Sequence, residues 1–283
     1  MDLKVLSETP PWDWPEGASK EILGILADDR ADASDRMLAA ELAGDFTLVN
    51  DNLVDVLLSV LQSGEESDEL RGKAAISLGP VLEHADTVGF EEPDDVPISE
   101  GRFHMIQNSL RKLYIDADVP KNVRRRILEA SARAPQGWHP DAVRAAYCSD
   151  DEDWKLTAVF SMRLVRGFDD QILEALGSDN EDIHYQAVCA AGNWEVDAAW
   201  SHVSRLLTAR ETEKSLLLAA IDAVANIRPQ EAGGILVDLT DSDDEDIVEA
   251  AYEAMAMADE AMAMAEGPSG DEFDEEDDDG FVH

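Results

Sequence analysis

The feature that most constrains this chain is a repeat. From about residue 18 onward a short helix-periodic apolar stretch, an Asp-rich turn and a second apolar-periodic stretch recur as a unit. The last strong apolar anchors of the first stretches are Leu26, Leu61, Leu113, Ala146, Leu176, Leu207 and Leu239, separated by 35, 52, 33, 30, 31 and 32 residues. The long interval contains ADTVGFEEPDDVPISEG at 85–101, whose prolines and acids mark an inserted loop. A single unit such as 169–192 carries Ile172, Leu173, Leu176, Ile183, Ala187, Val188 and Ala191, more apolar surface than two short helices can cover alone. Neighbouring units must cover it, so the expected fold is all-α: a right-handed α-solenoid of about seven two-helix repeats. Residues 1–17, with Trp12 and Trp14 in PPWDWPEG, are expected to cap the open end of the array. Residues 18–265 form the array and 266–283 a disordered acidic tail.

The turns explain where helices begin. ADASDR (31–36), SGEESDELR (63–71), DADVPKNVR (116–124), SDDEDWK (149–155), SDNEDIH (178–184) and DSDDEDIV (241–248) each place Ser, Asp or Asn before an apolar-periodic run. Such side chains cap unpaired amides, and the acids that follow suit the positive end of the helix dipole. Each second helix then opens with a basic or polar residue about ten positions after the preceding anchor: Arg36, Arg71, Arg124, Lys155, His184 and Lys214, with Val248 in the seventh unit. Pro80, inside ISLGPVLEH, is expected to kink or shorten the second helix of the second hairpin.

The segments SDDEDWKLTAVFSMR and SDNEDIHYQAVCAAG, an acidic turn leading to a basic or His position and then small apolar residues, resemble HEAT repeats and the phycobilisome-lyase-like HEAT repeats. The resemblance spans roughly residues 18–265. It implies a HEAT-like, armadillo-like helical scaffold in which a turn aspartate pairs with a second-helix arginine of a neighbouring repeat. On that pattern Asp35, Asp68, Asp150 and Asp182 match the aspartates, and Arg36, Arg71, Arg124 and Lys155 the basic partners.

Charge narrows the partners. Lys and Arg total 22 against 63 Asp and Glu, a formal charge of -41, and only eleven of the acids fall in 259–283. That field opposes nucleic acid and anionic membranes. Arg124, Arg125 and Arg126 form the single basic cluster and cannot supply the counterion-release term that duplex binding needs. Cys148 and Cys189 lie far apart without metal-ligand spacing and read as reduced thiols, and the N-terminus lacks the basic start and apolar run of a signal peptide. A cytoplasmic, monomeric protein is expected.

Catalytic signatures are missing from the sequence. None of the six histidines is followed by Glu, so the His-Glu dyads of di-iron HEAT hydroxylases have no counterpart, and no HExxH, GxGxxG, GxxxxGK[ST] or GxSxG occurs. The acidic turns lack the sixth-position Gly of a calcium loop. No cofactor or metal is implied. The reading is a non-enzymatic protein-interaction scaffold or assembly factor that binds a protein partner, with a basic face, on the concave second-helix surface at Arg124, Arg125, Lys155, His184 and Tyr185. Its alternative is a bilin-lyase-like enzyme or enzyme subunit with a pocket on that same face. Self-repulsion of the -41 charge predicts that the melting temperature rises as salt goes from 0.1 to 2 M; a flat profile would remove the argument.

Overall fold

Acidic turns do start helices in this chain. Asp32 accepts the amide of Ser34 at 2.9 Å, Ser67 that of Leu70 at 3.2 Å, and Asp151 that of Asp153 at 3.1 Å. Asn180 caps the amides of Asp182 and Ile183. The turn at 116–124 departs from the rule: its helix opens after Pro120, which has no side chain able to accept. The computed structural model describes residues 3–92, 95–209 and 211–266, so the tail expected at 266–283 lies outside the described residues but for Glu266.

Two compact units divide the chain, one up to Trp194 and one from Glu195. In the first, α1 (Leu3–Ser7) precedes five helical hairpins. They are α2 (Ala18–Ala27) with α3 (Ala33–Leu42), and α4 (Asp51–Gln62) with α5 (Asp68–Ser77). After α6 (Gly79–Val88) come α7 (Glu100–Ile115) with α8 (Lys121–Ser131), α9 (His139–Tyr147) with α10 (Glu152–Met162), and α11 (Asp169–Ala175) with α12 (Glu181–Asn193). The second unit pairs α13 (Trp200–Thr208) with α14 (Lys214–Ile227), and α15 (Pro229–Leu236) with α16 (Glu245–Glu266). Among the described residues there is no strand, and the seven hairpins make the fold an all-α solenoid of two-helix repeats. Within the first unit the second helices stack in order, α3 on α5, α5 on α8, α8 on α10 and α10 on α12.

Pro80 acts more sharply than a kink. It sits in the first turn of α6, where a missing amide costs nothing, and α5 has already ended at Ser77. Helix α6 then runs to Val88 with Ala85 buried, and Ser99 caps α7. Both ends of the loop expected at 85–101 are thus helical, and the described residues 89–92 and 95–99 between them lie outside helices.

Burial follows the periodicity. Ile22, Leu26, Leu53, Leu57 and Leu61 are fully buried on the first helices, as are Ala39, Ala74 and Ala158 on the second. Small residues on and just after these helices let successive second helices approach closely; a Cβ on Gly44, two residues past the end of α3, would meet Ser77 Cα at 3.0 Å. At the N-terminus, Leu3 and Leu6 are buried and α1 packs on α3, while Trp14 donates from Nε1 to the carbonyls of Leu6 and Thr9 at 2.9 and 2.8 Å. Trp12 stays 79% exposed.

One ionisable group is sealed inside. His139 has no exposed surface; its Nδ1 accepts the Gln136 amide at 2.8 Å, and its Nε2 meets Ser131 Oγ at 3.0 Å. Burial pushes its pKa down to about 4 from 6.5, so the imidazole is neutral in the fold. The unfolded chain binds this proton near pH 6.5 while the folded chain refuses it until about pH 4, so the stabilisation is complete above pH 6.5 and is lost as pH falls through that window. Between pH 7 and pH 4.5 this group should account for about 2 kcal/mol of lost stability. Denaturant unfolding at both pH values checks it: the loss in wild type should exceed that in His139→Gln by this amount, and equal losses would contradict the assignment.

Candidate interaction surface

Three consecutive arginines on a helix cannot share one direction, because successive residues turn by about 100°. Helix α8 accordingly separates Arg124, Arg125 and Arg126. Arg124 lies toward Tyr114, whose hydroxyl pKa is raised by burial against the lowering effect of the Arg124 charge. Arg125 and Arg126 instead face a cleft of about 500 Å³ built by four second helices. Met37 comes from α3, Glu69, Lys73 and Ile76 from α5, and Asp153 from α10.

Each cation of the cleft meets its surroundings differently. Lys73 Nζ pairs with Glu41 at 3.1 Å, and Arg126 Nη1 with Glu129 at 2.7 Å. Arg125 donates from Nη1 to the Thr157 hydroxyl at 3.3 Å, and its Nη2 stands 3.6 Å from Asp153, too far for a hydrogen bond. Beside this cleft lies a second depression of about 730 Å³ that shares Met37, Glu69 and Lys73 and reaches Arg36 and Glu66.

The remaining residues of the expected concave surface lie further along the same row of helices, outside the lining of this cleft. Lys155 Nζ sits 4.9 Å above the Tyr147 ring, a cation-π contact between the two helices of one hairpin. Tyr147 donates to the Gln171 carbonyl at 3.2 Å, and its pKa is pushed up to about 12, first by burial and then by Glu174. His184 and Tyr185 are half-buried on α12, and burial holds the His184 pKa below its usual value.

Pairing between repeats takes a definite form. Arg36 is 6% exposed and donates to both carboxylate oxygens of Glu66 at 2.8 and 2.6 Å and to the Leu26 carbonyl at 3.1 Å. Glu66 raises the Arg36 pKa while burial opposes it. Arg71, also 6% exposed, donates from Nε to the Leu61 carbonyl at 3.0 Å. Asp35, Asp68 and Asp182 occupy exposed first turns of α3, α5 and α12, and Asp150 is exposed just before the cap of α10. The carboxylate that meets Arg36 across the repeat is thus Glu66, one residue before the capping Ser67, and Asp68 lines the cleft instead.

Sequence reasoning named Arg125 but passed over Lys73, Glu69 and Asn122, which line the cleft with it. Their signal was register: 69, 73 and 76 on α5 and 122, 125 and 126 on α8 are helix-face spacings. Among the described residues no three His, Cys, Asp or Glu side chains gather into a metal-ligating group. No helix among them is long and apolar enough to cross a membrane.

No family model and no curated protein matches the chain. Among solved structures, it is similar to human deoxyhypusine hydroxylase at 15% identity, covering 88% of this chain and 87% of that one, with a TM-score of 0.40. YibA from E. coli is 13% identical over 86% of this chain and 98% of its own, with a TM-score of 0.46. A chain of the complex of CpcE and CpcF of phycocyanin lyase from Nostoc sp. is 17% identical over 89% of this chain and 98% of its own, with a TM-score of 0.43.

Proposed function

We propose that the protein is an interaction scaffold or assembly factor, without catalytic activity of its own, that binds a protein partner along the second helices of its first unit. The observation that supports this most is the cleft itself: side chains from α3, α5, α8 and α10 meet in one open, mixed-charge depression with apolar Met37 and Ile76 among them. Such a lining offers a protein surface both apolar contact and orienting charge. The -41 charge draws a partner with a basic face toward the scaffold, and the cleft then selects it. Association should therefore slow as salt shortens the Debye length from about 10 Å at 0.1 M to about 3 Å at 1 M.

Photo-crosslinking tests the surface. A benzoylphenylalanine at Asn122 (α8, cleft) should give one discrete protein adduct in cells of the source, and the same group at Asn108 (α7, first helix of that hairpin) should give none. The adducted partner, purified, should bind Arg125→Glu at least about tenfold more weakly than wild type, or about 1.4 kcal/mol. Equal adducts from both faces, or a partner indifferent to the substitution, would contradict the reading.

A further inference from the structure

Arg36 and Arg125 occupy similar positions near the starts of second helices, and their side chains are almost equally withdrawn from water, at 8% and 11% exposure. Both leave Nε without a partner. Their terminal nitrogens differ. Those of Arg36 grip Glu66 at two points and a backbone carbonyl besides, as a guanidinium stripped of water requires. Among the described residues, those of Arg125 have one long bond to a neutral hydroxyl and a single ion-pair neighbour, Asp153, at 3.6 Å and itself 68% exposed. In a chain with 63 acidic residues, this guanidinium at the wall of an open cleft has, among the described residues, no carboxylate in hydrogen-bond contact, which leaves it donor capacity for one from outside.

The neighbouring residues define what that acid can be. Arg126 runs its stem past Gly72, where a Cβ would meet Arg126 Cγ at 3.2 Å, so the missing side chain leaves α5 and α8 close while the guanidinium stays at the cleft. Glu69 and Asp153 also line it, and their charge disfavours a dianion such as phosphate. A singly charged, planar carboxylate fits the fork of Arg125, and Glu69 and Asp153 are placed to receive an adjacent ammonium or guanidinium. We infer that this cleft recognises a peptide carboxylate with a basic neighbour, a Glu or Asp beside Lys or Arg in the partner. The inference rests on the interaction reading above and gives it a recognition chemistry.

The test is a nuclear magnetic resonance titration of the full chain with acetyl-Ala-Lys-Glu-Lys-Ala-amide, its Gln counterpart and inorganic phosphate. The Glu peptide should move the Arg125 Nε–H resonance and bind at least about tenfold more tightly than the Gln peptide, as a charge-assisted pair requires. Phosphate should bind more weakly than the Glu peptide. In Arg125→Lys, which keeps the charge and loses the fork, the preference for Glu should fall several-fold. Equal binding of the two peptides, tighter binding of phosphate, or a Glu peptide that leaves Arg125 unmoved would overturn the inference. The peptide comparison uses the wild-type chain and does not depend on a variant folding. If these results fail while crosslinking at Asn122 still yields its partner, acid recognition falls and the interaction surface stands; loss of the Asn122 adduct strikes the surface itself.

Discussion

A single guanidinium does two structural jobs at the start of the array. Arg36 reaches back to the Leu26 carbonyl, at the negative end of its own hairpin's first helix, and across to Glu66 in the turn of the next hairpin. It therefore fixes the angle within one repeat and the distance to the next. Arg71 repeats the first of these jobs at Leu61, again ten residues back. Hydrogen bonds across hairpins then recur at the sequence period: Arg36 to Glu66, Lys121 to Asp151, Asn193 to the Arg163 carbonyl and Lys214 to Asp244 are each thirty residues apart. The apolar faces drive stacking, and these polar ties set its register.

The excess of acid shapes how the few cations are used. With 22 basic residues against 63 acidic ones, several cations find a carboxylate in another hairpin, as Lys73 does at Glu41 and Lys121 at Asp151. Arg228 holds Asp197 through two nitrogens in the second unit, and Arg133 holds Glu83 in the first. Exposed pairs of this kind add little stability, and their value is in cancelling local repulsion. Among the described residues Arg125 shares with Arg71 a guanidinium largely withdrawn from water with no acid in hydrogen-bond contact, and differs in lining the open cleft.

Much of this was legible in the sequence, because local rules dominate a repeat. The anchors Leu26 and Leu61 are fully buried, and the capping expected of the turns ADASDR, SGEESDELR, SDDEDWK and SDNEDIH is made by Asp32, Ser67, Asp151 and Asn180. Position ten after the anchor was recognisable as special, but its partner was not: an arginine at that position can reach a carbonyl in its own hairpin or an acid in the next, and spacing alone does not choose. For the same reason Glu66 was hidden among the acids of SGEESDELR. The cleft was half legible. Arg125 stood out as part of a basic run, whereas Lys73 and Asn122 matter only because α5 and α8 bring them together.

The claim that one arginine couples adjacent repeats is tested most directly by a double-mutant cycle on Arg36→Gln and Glu66→Gln, read by denaturant unfolding. Side-chain exposures of 8% and 16% place this pair out of the range of screened surface bridges. Each single change leaves a partner stranded, so the cycle should return a coupling of about 1.5 to 3 kcal/mol, with each single variant less stable than wild type. A coupling below about 0.5 kcal/mol, the level of independent sites, would contradict the account.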